Sequence, residues 1–149
     1  FIKCSGALSV LAKIGFFGFS PSALAVISQW QESWFASNDL SETFKKMGVV
    51  SPSSNNNIIL NTPDTAENGS YVGVSVRSEI VNTLAIAILV DKNPSVLAGY
   101  FEFENSVIPE IATKIKMAET SNVYALVKSE NKFFMNKKNI NVMVGGCGN

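Results

Sequence analysis

Glu102 and Glu104 stand two residues apart, a spacing that places both carboxylates on one face of a β-strand. Paired carboxylates can share acid–base work or bind a hard cation. Two glutamates on a solvated strand face produce the same pattern, and this is the commoner reason for it. We therefore expect surface positions here and assign no reaction to the pair.

The chain has 149 residues and no histidine. This excludes the usual general base at neutral pH and every catalytic Ser-His or Cys-His pair. The stretch GFSPS at 18–22 approaches a nucleophile-elbow pattern around Ser20, but Ser22 occupies the second glycine position. A glycine-rich phosphate loop is also absent from the sequence. We predict no catalytic residue, no metal site and no cofactor, and hence a protein that is not an enzyme.

The two cysteines, Cys4 and Cys147, lie far apart in the sequence. Two thiols do not make a zinc site alone, and GGCG at 145–148 lacks the paired-cysteine spacing of such sites. A bridge between them would close nearly the whole chain, which is worth ~4–5 kcal/mol in the chain-entropy description. Two unrelated buried thiols are the alternative. We predict a Cys4–Cys147 disulfide, with the glycine-rich segment as a flexible carrier of one partner.

Four lysines surround the aromatic pair Phe133 and Phe134: Lys128, Lys132, Lys137 and Lys138. Basic residues interleaved with aromatics are found on platforms that bind single-stranded nucleic acid. However, twelve basic and twelve acidic residues cancel, so the chain has no long-range field to attract a polyanion. Lysines also protect sheet edges from association. We predict no nucleic-acid partner and a core position for both phenylalanines.

The opening of the chain is its most apolar part, and residues 5–17 are apolar on every side. Such a helix must be buried in protein or in lipid, although this run is shorter than the ~20 residues of a spanning helix. Ser20 and Pro21 predict the start of a second helix. We expect a buried helical hairpin, with membrane insertion as the alternative. The candidate interface or pocket residues are Leu8, Leu11, Phe16, Phe17, Trp30 and Trp34.

A third helix is predicted between Asp39 and Gly48. Asp39 and Glu42 have the spacing of a capping box, and Glu42 and Lys46 stand at i, i+4. Gly48 supplies the stop signal. The polar stretches at 51–57 and 61–70 that follow are predicted loops.

The second half alternates apolar and polar residues, which predicts strands. The predicted strands are 72–76, 83–90, 95–103, 123–127, 132–135 and 140–144, with 91–94 as a hairpin turn. Residues 78–88 are equally compatible with the start of a helix. A helix is predicted from Ser106, because Ile108, Ile111, Ile115 and Ala118 share one helical face.

These elements predict an α+β fold with N-terminal apolar helices followed by an antiparallel sheet with one inserted helix, in the order β-β-β-α-β-β-β. One face of that sheet would be covered by helices. We expect a single domain, 1–149, with a helical apolar part at 1–50 and a β-rich body at 71–145.

Phe1 stands where an initiator methionine is expected, which favours a processed, extracytoplasmic protein that is secreted, surface-bound or organellar. Asn68 opens an Asn-Gly-Ser sequon and is a candidate glycosylation site. We expect a non-enzymatic structural or interaction subunit of a larger extracytoplasmic or membrane-associated assembly, which docks other protein subunits through its apolar N-terminal helices. The alternative is a secreted carrier of an apolar small ligand held between helices and sheet.

Overall fold

The computed structural model describes residues 31–145. Within these residues a 3-10 helix, Glu32–Ala36, precedes helix α1, Leu40–Met47. Nine strands follow: β1 (Ser53–Ser54), β2 (Ile58–Asn61), β3 (Thr65–Ala66), β4 (Val72–Ser78), β5 (Thr83–Val90), β6 (Leu97–Glu102), β7 (Glu110–Ile115), β8 (Ser121–Ser129) and β9 (Lys132–Val142).

The strands form two sheets that face each other as an immunoglobulin-like β-sandwich. The larger sheet has the order β1-β9-β8-β5-β6, and β3 pairs separately with β9. The smaller sheet has the order β2-β4-β7 and is antiparallel throughout. The short strands β1 and β3 both run parallel to β9.

The predicted α+β class is wrong, because the protein is mostly β-sheet, with 48% strand and a single short α-helix among the described residues. The predicted N-terminal apolar helices do not define the fold, and residues 1–30 lie outside the described part of the chain. The order β-β-β-α-β-β-β also fails, since the segment predicted as the inserted helix contains β7. β7 pairs with β4 over six positions, from Val72↔Ile115 to Arg77↔Glu110.

The main core lies between the two sheets. On β4 the side chains of Val72, Val74 and Val76 point inward, at 1%, 3% and 0% exposure, while the residues between them are more exposed. This period of two is what a sheet with one solvated face requires. The facing positions on the larger sheet include Ile86 and Ile88 of β5, both fully buried.

A second core lies on the other face of the larger sheet, under the 3-10 helix and α1. Ala87 and Leu89 of β5 point to this side and are buried there with Trp34. The ring of Trp34 meets that of Tyr100 edge-on, with 5.2 Å between centroids. Burial, together with the charge of Glu102, raises the pKa of Tyr100 to about 12. Because both faces of β5 are covered, its sequence TLAIAILV is apolar without alternation.

Helix α1 begins and ends as the sequence predicts. The carboxylate of Asp39 accepts a hydrogen bond from the N–H of Glu42 at 2.7 Å, which caps the first turn. Gly48 adopts φ +71° and its N–H closes the last turn. Lys46 contacts the carboxylate of Glu42 at 2.9 Å and, by this hydrogen bond, lowers the pKa of Glu42.

The predicted hairpin is confirmed, since β5 and β6 pair as antiparallel neighbours on either side of the turn. Residues 78–88, left open between helix and strand, contribute the end of β4 and most of β5. The two strands predicted at 132–135 and 140–144 are one long strand, β9, which pairs with β8 over its first nine residues. Across residues 31–145, no helix has the length and apolar character needed to cross a bilayer.

Candidate functional site

Trp34 is the one candidate interface residue that lies within the described part of the chain. It is only 7% exposed and belongs to the core under the helical layer, and its role in an interface or an apolar pocket stays a prediction. The remaining candidates fall outside residues 31–145, as do both cysteines: Leu8, Leu11, Phe16, Phe17, Trp30, Cys4 and Cys147.

Glu102 and Glu104 are both exposed, as expected. Glu102 is the last residue of β6, while Glu104 borders a polar hollow of about 250 Å³ that also includes Ser78 and Thr83. The hydroxyls of Ser78 and Thr83 lie 2.7 Å apart and hydrogen-bond each other. Nowhere in residues 31–145 do three or more acidic, cysteine or histidine side chains come together in a way that would hold a metal ion.

Phe133 and Phe134 point to opposite faces of the larger sheet. Phe133 packs against the core under the helical layer, and Phe134 packs against the core between the sheets. Lys138 is held by the carboxylate of Asp64 at 2.8 Å and by the carbonyl oxygen of Thr62 at 2.9 Å. The core position predicted for the two phenylalanines is therefore confirmed, although each is only half-buried.

The cysteine-bearing glycine-rich segment, 145–148, begins three residues after the end of β9, and backbone hydrogen bonds fix the chain between them. The N–H of Met143 donates to the carbonyl of Ala66 at 2.9 Å. The carbonyl of Val144 accepts from the N–H of Gly69 at 2.8 Å. These bonds extend the β3–β9 pairing and hold the chain against the loop that joins β3 to β4, up to the residue before Gly145.

Gly145 lies directly against the carbonyl group of Ala118. A Cβ at this position would overlap the Ala118 oxygen, whereas a Cβ at Gly73 would meet nothing within 4 Å. The backbone at Ala118 is held in place by Asn93. The N–H of Ala118 donates to the side-chain oxygen of Asn93 at 2.9 Å, and the side-chain NH2 of Asn93 donates to the carbonyl of Lys116 at 2.6 Å. Gly145 is thus required for close approach of two backbones.

Three large apolar side chains around this point are exposed. Met143 is 67% exposed, Val144 is 63% exposed, and Tyr71 is 67% exposed. Tyr71 stands two residues after Gly69, the partner of Val144, and carries the ammonium of Lys114 at 3.8 Å from its ring centroid. Exposed apolar side chains are therefore found on both of the segments that the Gly69–Val144 hydrogen bond joins.

The family described as sulfur oxidation protein SoxY matches residues 43–147. The chain belongs to the SoxY family. The matched region starts within α1, includes all nine described strands and ends at Cys147. Family membership confirms the expectation of a small carrier or interaction subunit, and it agrees with the expectation of a protein that is not itself an enzyme.

The chain is also similar to several solved structures. The sulfur carrier protein SoxY from Chlorobium limicola f thiosulfatophilum is 25% identical, with a TM-score of 0.62 over 68% of this chain and 93% of that chain. A superoxide reductase (neelaredoxin) from Ignicoccus hospitalis is 15% identical, with a TM-score of 0.47 over 57% of this chain and 79% of its own. A Jonesia denitrificans lytic polysaccharide monooxygenase is 18% identical, with a TM-score of 0.40 over 54% and 58%. A search of the curated proteins found no match.

From the sequence, Cys147 was predicted to be a disulfide partner, which stays a prediction, and Gly145 was assigned no packing role. The sequence does set Cys147 apart, because Gly145 and Gly146 precede it and Gly148 follows it. The part played by Gly145 was not visible, because Ala118 comes close to it only in the folded chain.

Replacing Gly145 by alanine should destabilise the protein by about 1–3 kcal/mol, the usual cost of forcing extra atoms into a filled space. Urea unfolding measures this loss. Hydrogen exchange should rise at the amides of Gly69 and Met143, whose bonds hold the adjoining chain. Gly73→Ala is the matched control, with open space at its Cβ and an expected change within 0.5 kcal/mol. Equal effects of the two substitutions would contradict the close approach.

Proposed function

We propose that the chain is a sulfur carrier that holds sulfur covalently on the thiol of Cys147. The observation that carries this proposal is the match of residues 43–147 to the SoxY family, because Cys147 is the only cysteine in that region. Covalent attachment of sulfur requires a nucleophilic sulfur or comparable side chain, and the cysteine thiolate is the strongest such group in proteins. The carrier description of the Chlorobium limicola protein, 93% of which aligns with this chain, supports the same assignment.

The loading step uses ordinary thiol chemistry. The thiolate of Cys147 attacks the outer sulfur of a persulfide or polysulfide donor, and a new S–S bond forms at Cys147. The S–S bond of the donor breaks, and its electron pair leaves with the remaining donor thiolate. One sulfur atom is transferred without any external oxidant, and the product is a persulfide of Cys147.

The neighbours of Cys147 in the sequence suit this step. Gly146 and Gly148 place no side chain beside the thiol, so both a donor and an acceptor can approach its sulfur. Gly145, packed on Ala118, ties the start of this short segment to the sandwich. In this proposal the folded β-sandwich anchors the short segment that carries the thiol.

We infer further that the chain works with other protein subunits, in the manner of its family, which acts with SoxZ. An extracytoplasmic location, specifically the periplasm, follows from the same family relationship. Covalently bound sulfur takes the place of the apolar small ligand expected from the sequence. Docking through apolar N-terminal helices is not part of the proposal.

Two predictions from the sequence remain as predictions. A Cys4–Cys147 disulfide would occupy the thiol that carries sulfur, so the bridged chain would be an unloaded storage form. Asn68 is exposed in the loop between β3 and β4, where its side-chain oxygen accepts from the N–H of Ser70 at 2.8 Å. A glycan attached to Asn68 would stand beside the segment that leads to Cys147.

Loading with inorganic polysulfide tests the carrier function. After reduction and removal of the reductant, intact-mass spectrometry of the treated chain should show the addition of whole sulfur atoms. Peptide mapping should place them on Cys147, and cyanide should release the outer sulfur as thiocyanate. Uptake confined to Cys4, or no uptake by a chain with two titratable thiols, would refute the assignment.

A further inference from the structure

The connection between β7 and β8, residues 116–118, supports the end of β9 through two backbone hydrogen bonds. The N–H of Met117 donates to the carbonyl of Gly69 at 2.7 Å, and the N–H of Gly69 donates to the carbonyl of Val144 at 2.8 Å. Met117 and Gly69 are both buried. This route from the connection to Val144 therefore does not depend on any surface side chain.

The same connection meets Gly145, and there it depends on one side chain. The carbonyl of Ala118 lies directly against Gly145. The side-chain oxygen of Asn93 accepts from the N–H of Ala118 at 2.9 Å, and the side-chain NH2 of Asn93 donates to the carbonyl of Lys116 at 2.6 Å. A single amide group thus bonds both ends of the connection, one as acceptor and the other as donor.

Asn93 lies in the turn between β5 and β6, and this turn is itself fixed to the helical layer. The hydroxyl of Ser95 donates to the carbonyl of Phe35 at 2.6 Å. The N–H of Val96 donates to the carbonyl of Ser37 at 2.9 Å. A side chain on a fixed turn keeps its donor and its acceptor in one place, which is what precise support of a neighbouring segment requires.

The support at Gly145 limits how far the thiol can move. Only Gly146 stands between Gly145 and Cys147. An extended chain covers at most ~3.6 Å per residue, so the Cα of Cys147 lies within ~7 Å of the Cα of Gly145. Without the contact on Ala118 the nearest fixed point is Val144, and the limit becomes ~11 Å. One additional residue must then be ordered, at a cost in conformational entropy, whenever the sulfur is bound in a reaction site.

We propose that Asn93 is a positioning residue for sulfur transfer, which acts through Ala118 and Gly145 to fix the point from which Cys147 is presented. This inference rests on the proposed carrier function. Asn93 takes no part in making or breaking S–S bonds, so the reaction is the same once the loaded chain is bound. Its loss therefore weakens productive binding of the loaded chain and leaves the chemical step unchanged.

Asn136 provides a matched control. Its side-chain NH2 donates to the carbonyl of Ile58 at 2.8 Å, and its side-chain oxygen accepts from the N–H of Lys137 at 2.8 Å. Ile58 pairs with Ser78, the last residue of β4, whereas the loop that contains Gly69 precedes the first. Asn136→Ala therefore removes comparable bonds to the backbone, but at the other end of the sandwich.

The first test measures transfer by the full chain, loaded with polysulfide, to purified SoxZ and the other purified proteins of the same organism's Sox system. Asn93→Ala should raise the KM for the loaded chain about fivefold or more and leave kcat unchanged, because one more residue must be ordered. Asn93→Asp keeps an acceptor for the N–H of Ala118 and should have a smaller rise in KM. Asn136→Ala should change neither parameter. Cyanide should release sulfur equally fast from all four proteins, since this small reagent needs no positioned segment.

The second test measures the position of the segment without any sulfur. In the Cys4→Ser chain, one nitroxide is attached to Cys147 and another to a cysteine introduced at Val81, which is 78% exposed. Pulsed electron paramagnetic resonance then gives the distribution of distances between the two labels. Asn93→Ala should widen this distribution by about a fifth or more, since the span of a flexible chain grows with the square root of its length. Asn136→Ala should leave it unchanged.

Several outcomes would overturn the proposal. An unchanged KM in Asn93→Ala removes the role in transfer, and an unchanged distance distribution removes the route through Gly145. An equal rise of KM in Asn136→Ala would show a general effect of lost stability, and a fall in kcat would place Asn93 in the chemical step. If the unsubstituted chain takes up no polysulfide on Cys147, the carrier function fails, whereas the distance distributions still decide whether Asn93 fixes the segment.

Discussion

The Cys147→Ser variant should lose sulfur loading and sulfur transfer down to background, whereas Cys4→Ser should keep both. A serine hydroxyl is not ionised at neutral pH and forms no persulfide, so the carrier chemistry ends with the thiolate. Cys4 lies outside the region that matches the SoxY family, and we assign it no part in transfer. The measurement is sulfur uptake by mass spectrometry, together with oxidation by the reconstituted Sox system.

The same pair of variants tests the predicted disulfide. If Cys4 and Cys147 are bridged in the isolated protein, Cys4→Ser should raise the initial uptake of sulfur, because Cys147 is then always free. Both variants should also lose the stability of the bridge, ~4–5 kcal/mol in the chain-entropy description. Equal loss of transfer in the two variants would contradict a carrier role that belongs to Cys147 alone.

The Trp34→Ala variant should be destabilised by about 3–5 kcal/mol, the usual cost of removing a large aromatic side chain from a core. Trp34 is buried with Leu89 and Leu126 of the larger sheet, and its ring meets Tyr100 edge-on at 5.2 Å. Removal of the indole ring leaves a cavity under the 3-10 helix. This helix has only five residues and is too short to move inward and fill the cavity. Urea unfolding followed by circular dichroism measures the loss.

Two comparisons make the Trp34 result specific. Val50→Ala, at a side chain that is 80% exposed, should change stability by less than 0.5 kcal/mol. Trp34→Phe keeps an aromatic ring beside Tyr100 and should lose clearly less than alanine does. A Trp34→Ala protein as stable as Val50→Ala would show that the helical layer is not part of the folded core, contrary to its burial here.

The elements that depend on residues close together in sequence were predicted correctly. The cap of α1 depends on Asp39 and Glu42, three residues apart, and on Gly48 at its end. The alternation of β4 and the turn between β5 and β6 likewise involve neighbours in sequence. In each case the atoms that stabilise the element belong to the segment itself, so the residues there are sufficient to predict it.

The segment around β7 was predicted wrongly, and the reason is geometric. Ile111 and Ile115 stand four residues apart, which places them on one face of a helix and equally on one face of a strand. Ile115 is buried and Ile111 half-buried, while the residues between follow the strand period. The pairing with β4 settles the choice, and β4 lies too far away in sequence to influence a local pattern.

The sequence by itself determined the chemistry that this protein has available: no histidine, and a cysteine set among glycines at 145–148. Only the tertiary structure decided what holds Val144 and Gly145, the residues that lead into that segment. Gly145 touches Ala118, and Val144 bonds Gly69, through contacts between residues far apart along the chain. The sequence gives the residue types directly. A site also requires residues that are far apart in sequence to lie close together, and they do so only after the two sheets have packed.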